Sequence, residues 1–260
     1  MKNAKIITTD KKTVDALLEM NTSNRPIKKT VVGKYLRDIL NNNWCLTNQG
    51  IGVTEDGVLI DGQHRLMAIR DAGYPNLEIV LVTGLDKKAQ SAVDQHAKRS
   101  GRDMFALFYE DRTAHIAPAV CSVLVKFNAK LSDGAKHGGI TIFELYKVFD
   151  MYSGQIEKII NCISSKSFFP APCVAAFVDV LDSYPDSIES IRLFIEQAET
   201  GVLLEKSMPS FHLRHFLGVT RKNGAGAMVQ KERYFKTRKA LIAHVKKEKM
   251  FILRVNEKGE

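Results

Sequence analysis

Five adjacent residues could hold a phosphate group: Asp61, Gly62, Gln63, His64 and Arg65. They stand between an apolar run, VLI, and an apolar-periodic segment that stops at Gly73, so a strand is expected to become a helix here. The first N–H groups of a helix have no acceptor within it, and the helix dipole adds positive potential. A glycine lets an anion approach the backbone, and the side chains of the first turn lie beside it. The turn therefore predicts a phosphate site with Gly62, Gln63, His64 and Arg65 as ligands.

Asp61 leaves two other interpretations of this turn open. It could cap the helix, or it could bind a metal ion that accompanies phosphates. In an enzyme, Asp61 or His64 would be the acid–base group and Arg65 would stabilise the transition state. In a purely structural turn, Asp61 would cap the helix and the next polar residues would face solvent.

The elements around the turn alternate between strand and helix. A short strand is predicted at 5–8, a helix capped by Thr13 follows, and a second helix carries Val31, Ile39 and Leu40 at helical spacing. The segment IGVTEDGVLI reads as a hairpin because Asp-Gly supplies its turn, and LEIVLVTGL reads as a buried strand.

From about residue 112 the pattern becomes helical. The predicted helices are 112–129, 141–151, 154–163, 173–181, 186–200, 208–217 and 229–248. We therefore predict an α+β fold, with a mixed domain over residues 1–110 and a mostly α-helical domain over residues 111–260.

Composition points to a cytoplasmic protein. No apolar run reaches the roughly 20 residues that span a bilayer, and the first residues lack the apolar core of a signal peptide. The four cysteines are scattered without a CxxC pair, which favours reduced thiols, and no metal site is predicted.

The positive charge is concentrated at the end of the chain. Residues 201–260 hold 14 basic and 5 acidic residues, a net charge of +9 that equals the net charge of the whole chain. Such a concentration is typical of a surface that meets a phosphate backbone, although a solvated basic tail gives the same pattern. The candidate nucleic-acid-binding residues are Arg233, Lys236, Arg238, Lys239, Lys246 and Lys247.

The segment DGQHRLMAI resembles the phosphate-binding motif of the ParB/sulfiredoxin-like fold, in which a strand leads into a G-x-x-R turn and a helix. Upstream, NRPIKKTVVGKYLRDI resembles the first ParB box, and downstream LEIVLVTGL and DQHAKRSGRD resemble the following strand and a third polar set. The resemblance covers about residues 5–108 and extends to DGQHR-containing proteins of phages and mobile elements. It implies a ParB/sulfiredoxin-like N-terminal domain. Arg25, Arg99 and Arg102 could then be further phosphate ligands, although a structural salt bridge at Arg25 and a solvated loop around Arg99 and Arg102 fit the same residues.

The chain departs from both named relatives in the turn itself. Sulfiredoxins carry a cysteine where this sequence has Gln63, so reductase activity by that route is not expected. Partition proteins carry Glu-Arg-Arg for CTP binding and hydrolysis, and Gln63, His64 and Arg65 stand here instead. The loss of the acidic position argues against hydrolysis, while phosphate binding is retained as an expectation.

These observations lead to one main functional prediction and two alternatives. The main prediction is a DNA-binding protein whose DGQHR turn holds a nucleotide, such as a nucleoside triphosphate with Mg²⁺, or a backbone phosphate. One alternative is a nucleotide-dependent enzyme, an NTP hydrolase, phosphotransferase or nuclease, that uses the same pocket. The other is a phage regulatory or interaction protein with a vestigial pocket. A homodimer is left open, and a phage-encoded protein would act in the cytoplasm of its bacterial host.

Overall fold

The chain is an α+β protein in which helices predominate over one small mixed sheet, as predicted for its class. The computed structural model describes residues 2–92, 100–109, 115–131, 139–164, 168–202, 204–220 and 226–256. Two compact units are present, one of residues 1–98 with 135–143 and one of residues 99–134 with 144–260.

The first unit contains the sheet. Its elements are β1 (Asn3–Thr8), α1 (Lys11–Glu19), α2 (Lys29–Leu40), β2 (Ile51–Thr54), β3 (Leu59–Asp61), α3 (Gln63–Asp71), β4 (Glu78–Leu85) and α4 (Ala89–Ala92). The strand order is β1-β4-β2-β3, with β2 parallel to β4 and the other two pairs antiparallel. The predicted hairpin is confirmed as β2 and β3, joined through Gly57 in a left-handed conformation.

Helices α1, α2 and α3 pack with the sheet around one apolar core. Each helix contributes one buried stripe because its apolar residues recur at a spacing of three or four. The core residues are Val14, Leu17, Val32, Ile39, Ile51, Val53, Leu59, Leu66, Ala68, Ile69, Ile79 and Leu81. Burial of apolar surface stabilises a fold by about 25 cal/mol per Å². Packing in this core therefore holds the strand–turn–helix in place.

One local prediction in this unit was wrong, and one apolar residue of a confirmed helix is exposed. The N-cap of α1 is Asp10, whose carboxylate accepts the Thr13 N–H at 2.7 Å, so Thr13 lies inside the first turn. Leu40 is 64% exposed, because the buried stripe of α2 runs through Val32 and Ile39 and leaves the last helical residue outside it.

The second unit is helical. Its elements are α5 (Gly101–Phe108), α6 (Ala117–Phe127), α7 (Ile142–Cys162, whose first two residues belong to the first unit), α8 (Ala171–Ser183), a short 3-10 turn (Pro185–Ser187), α9 (Ile188–Thr200), α10 (Pro209–Thr220) and α11 (Ala227–Val245). Helix α8 is the centre of the unit: it is buried over most of its length and packs against α6, α9 and α11. No helix in the described ranges is both long and apolar enough to cross a bilayer.

One helix replaces two predicted ones. The segments 141–151 and 154–163 form the continuous helix α7. Gly154, at the start of the second predicted segment, lies in the helix interior, where a glycine costs only about 1 kcal/mol relative to alanine. Burial of Val148, Tyr152 and Ile156 on one face outweighs that cost.

Candidate functional site

The strand–turn–helix forms where the sequence places it. Strand β3 ends at Asp61, Gly62 has a φ of 98°, and α3 begins at Gln63. A side chain at position 62 would overlap the side chain of Ile51 and would be strained by the left-handed backbone, so the turn requires glycine.

Asp61 does not cap this helix, which corrects one of the interpretations of the sequence. The N-cap of α3 is Gly62, which provides no side-chain acceptor for the N–H groups of the first turn. The Asp61 carboxylate instead accepts a hydrogen bond from Arg65 Nη2 at 3.3 Å, one helical turn further on.

Gln63 and His64 hold the loop that precedes α2. The Gln63 amide donates to the Arg25 carbonyl at 3.0 Å and accepts from the Asn21 amide at 3.2 Å. The Lys28 N–H donates to His64 Nε2 at 3.0 Å, so this nitrogen carries a lone pair and a neutral ring has its proton on Nδ1. Both side chains are buried, Gln63 at 4% and His64 at 8% exposure.

Arg65 holds the segment that precedes β2. Its guanidinium donates to the carbonyls of Gln49 and Gly50, to the latter at 2.8 Å, in addition to Asp61. The side chain is 12% exposed. Hydrogen bonds to a charged group stabilise a fold by about 1.5–3 kcal/mol each, so Arg65 has a structural task whatever else it binds.

The remaining predicted phosphate ligands are placed differently from one another. Arg25 is exposed in the loop that Gln63 fastens, within the same unit as the turn. Arg102 is exposed on α5, which belongs to the second unit. Arg99 lies outside the described residues.

A cavity of about 190 Å³ lies beside the Arg65 guanidinium in the first unit. Tyr35, Asp38 and Trp44 are among the residues in its wall. Tyr35 and Asp38 belong to the segment that resembles the first ParB box, but the sequence did not indicate that they line a cavity. The Trp44 Nε1–H donates to the Glu78 carbonyl at 3.1 Å, and the ring packs against the core of the first unit.

Two of the predicted nucleic-acid-binding residues are engaged within the helical unit. Arg233 donates to the Thr220 carbonyl at 2.8 Å and so satisfies an acceptor at the end of α10. Lys236 pairs with Glu232 at 2.7 Å and lies 4.2 Å from the centre of the Phe216 ring. Their charges are therefore partly used to fasten α11.

Arg238 belongs to a buried polar cluster around Asp179. The Asp179 carboxylate, 8% exposed, accepts from Arg238 Nε at 2.6 Å, from the Tyr234 hydroxyl at 2.9 Å and from the Asn128 amide at 2.9 Å. Burial, followed by the neighbouring carboxylate, raises the pKa of Tyr234, so the hydroxyl stays protonated and donates. The cluster ties α8 and α11 to the end of α6.

The other predicted basic residues face solvent. Lys239, Lys246 and Lys247 are exposed, and so are Lys249 and Arg254, which the sequence-based selection missed. Four cations and one carboxylate stand between residues 246 and 254. The charge count over residues 201–260 includes both Lys249 and Arg254, although the candidate residues chosen from it end at Lys247.

The thiols differ in exposure and basicity. Cys45 is exposed, Cys162 is half-buried, and burial raises the pKa of both Cys121 and Cys173 to about 12. Within the described ranges, no three His, Cys, Asp or Glu residues are grouped so that they could hold a metal ion.

Comparison with protein-family models, with curated proteins and with solved structures finds no match to this chain. The described fold and site define an α+β protein with a glycine-dependent strand–turn–helix and an exposed basic end.

Proposed function

We propose that this chain is a nucleic-acid-binding protein, with DNA as the expected partner, and that its N-terminal unit is of ParB/sulfiredoxin-like type. The exposed cations at the end of α11 are the observation that carries the proposal. Five exposed cations lie within sixteen residues: Lys239, Lys246, Lys247, Lys249 and Arg254. Exposed lysines and arginines that neutralise phosphates release counterions, which is a main source of affinity for nucleic acid. A DNA partner also supports the predicted cytoplasmic location.

The order of elements in the first unit supports the ParB-like assignment. A strand and two helices precede a hairpin, the hairpin leads through a left-handed glycine into α3, and β4 follows in the same sheet. The motif residues stand at that junction, as they do in the fold that the sequence resembles.

The DGQHR turn is proposed to hold a phosphate of a nucleotide or of the nucleic-acid backbone. The glycine N-cap of α3 supports this, because it leaves the first-turn N–H groups without a side-chain acceptor at the cap. Gln63, His64 and Arg65 bind neighbouring loops, so the backbone N–H groups of the first turn are assigned to the phosphate. Arg25 is assigned to it as well because it is an exposed cation whose carbonyl is bound by Gln63 of that turn.

Calorimetry with a panel of nucleoside triphosphates and Mg²⁺ tests the phosphate site. Arg25→Ala is expected to weaken binding about tenfold, since a charge-assisted contact is lost, while Arg70→Ala at the far end of α3 leaves it unchanged. No heat of binding with any nucleotide, or equal loss in both variants, would oppose a phosphate site at this turn.

The DNA-binding proposal is tested by removing the same number of positive charges at two different places in the chain. One variant replaces Lys239, Lys246, Lys247 and Lys249 by Gln, and its control replaces the exposed Lys2, Lys5, Lys11 and Lys12 by Gln. Both variants lose the same net charge. Fluorescence anisotropy with labelled DNA is expected to show weaker binding for the first variant alone. Equal affinities of the two variants would contradict the assignment of this surface.

A further inference from the structure

A groove of about 350 Å³ lies at the basic end of the second unit, between α11 and the residues that follow it. Its size is that of sites for small ligands, which are typically about 300–1,000 Å³. Cations, one carboxylate and apolar side chains share its wall. The lining residues are Arg238, Lys239, Ile242, Ala243, Glu248, Lys249, Met250, Phe251 and Ile252.

The outer wall of the groove is fastened at Met250. The Met250 N–H donates to the Ser207 carbonyl at 2.8 Å, and the Met250 carbonyl lies 2.9 Å from His212 Nε2. Met250 itself is buried at 8% exposure, yet the next side chains project outward, Phe251 at 73% and Ile252 at 61% exposure. A phenylalanine is therefore held in water at a fixed place beside lysines.

The inner wall also has a fixed cation. Arg238 lies in the wall while its Nε is bound to the buried Asp179, so packing sets the position of the guanidinium. Lys239 and Lys249 add positive charge against the single carboxylate of Glu248.

Lys247 is a cation at a position whose left-handed backbone conformation favours glycine. Its φ is 59°, in the left-handed region, and it follows the C-cap of α11. The Lys247 and Glu248 N–H groups donate to the carbonyls of His244 and Ala243, the pattern in which helices usually end with glycine. A lysine there costs on the order of 1 kcal/mol, and it adds an exposed charge next in sequence to Glu248, a residue of the groove wall.

We propose that this groove binds single-stranded nucleic acid, with a base stacked on Phe251 and backbone phosphates against the surrounding lysines. The inference rests on the proposed function and narrows its partner. Proteins that bind single strands combine a positive groove with aromatic rings on which unpaired bases stack. In a duplex the bases are already stacked on each other. An exposed aromatic ring can therefore stack on a base of a duplex only if that base is first unstacked, which costs free energy. The phenylalanine therefore favours a single strand over a duplex.

The test is fluorescence anisotropy with labelled oligothymidylate and oligouridylate and with duplexes of equal phosphate count. Wild type is compared with Phe251→Leu, which keeps apolar bulk but removes the aromatic face, and with Phe251→Tyr, which keeps the ring. We expect tighter binding of single strands than of duplexes, a loss of about tenfold on single strands in Phe251→Leu, and near wild-type binding in Phe251→Tyr. Thermal melting of each variant checks that the fold is kept, as the exposure of Phe251 leads us to expect.

Equal binding of duplex and single strand, unaffected by Phe251→Leu, would overturn this inference and leave the proposed function standing. No binding of any oligonucleotide would overturn both. Binding to phosphatidylserine vesicles in place of oligonucleotides, lost in Phe251→Leu, would assign the groove to an anionic membrane and also overturn the proposal. A preference for oligothymidylate or for oligouridylate would identify DNA or RNA as the strand and support it.

Discussion

Gly62 is the residue on which the strand–turn–helix depends. Its φ of 98° and the nearness of the Ile51 side chain restrict the position in two ways, one through the backbone and one through space. Gly73 shares the first restriction, with a φ of 84°, but a side chain there would meet nothing within 4 Å. A comparison of substitutions at Gly62 and Gly73 therefore distinguishes the cost of backbone strain from the cost of steric overlap.

Gly62→Ala is expected to lower the free energy of unfolding by more than the roughly 1–3 kcal/mol of a left-handed alanine, because Ile51 must also move. Gly73→Ala is expected to show the conformational cost alone. Urea denaturation of both variants measures the difference. Equal losses would mean that Ile51 moves aside without cost and that only the backbone conformation requires glycine at position 62.

His244 gives the stability a dependence on pH. Burial lowers the pKa of its imidazole below the ordinary 6.5, against a smaller opposite effect of the hydrogen bond with the Ser190 backbone. The unfolded chain therefore binds the proton more readily than the folded chain does. The free energy of unfolding is expected to fall as the pH drops through 6.5 and to level off below the folded-state pKa. Denaturation between pH 5 and 8 should show this slope in wild type and lose it in His244→Phe.

The roles of the motif side chains could not be obtained from their spacing. The sequence correctly located the turn, the glycine and the start of α3. It did not indicate that Gln63 and His64 would bind the loop near Arg25 and Lys28, or that Arg65 would bind the Gln49 carbonyl. Those partners lie from 16 to 38 residues away, and a local pattern contains no information about contacts at such a separation.

At the scale of elements, hydrophobic periodicity predicted the order of the helices and strands better than the residues at which they begin and end. Strand β4, the hairpin and the succession of C-terminal helices follow from apolar spacing and turn residues. The same signals did not predict that two helices would join into α7, because a glycine in a helix is tolerated when the flanking turns are buried. Caps depend on geometry within one turn, which is why Asp10 rather than Thr13 begins α1.

The Asp179 cluster is expected to be the polar contact on which the helical unit depends most. Asp179→Ala leaves the buried Tyr234 and Asn128, and the partly exposed Arg238, without their acceptor, so unfolding should become easier by about 3–5 kcal/mol. Asp182→Ala, one turn further along α8, breaks only the pair with the 63% exposed Lys130 and should cost under about 1 kcal/mol. Urea denaturation compares the two, and similar losses would show that the buried cluster contributes no more than a surface pair.

At the scale of the whole molecule, the uneven charge is the property that the sequence established most directly. The net charge of +9 belongs to the last sixty residues, but the structure divides their cations into two groups. Arg233, Lys236 and Arg238 fasten α11, whereas Lys239, Lys246 and Lys247 face solvent. A helix with basic residues on several sides does not reveal in advance which of them its neighbours will bind.

The central claim is that the exposed basic end contacts nucleic-acid phosphates, and the salt dependence of binding measures this most directly. Each phosphate contact adds about 0.9 to the slope of log K against log salt on duplex DNA and about 0.7 on a single strand. Replacement of Lys239, Lys246, Lys247 and Lys249 by Gln is predicted to reduce that slope by about 2 to 4, while replacement of Lys2, Lys5, Lys11 and Lys12 leaves it unchanged. An identical slope for wild type and the first variant would contradict the claim.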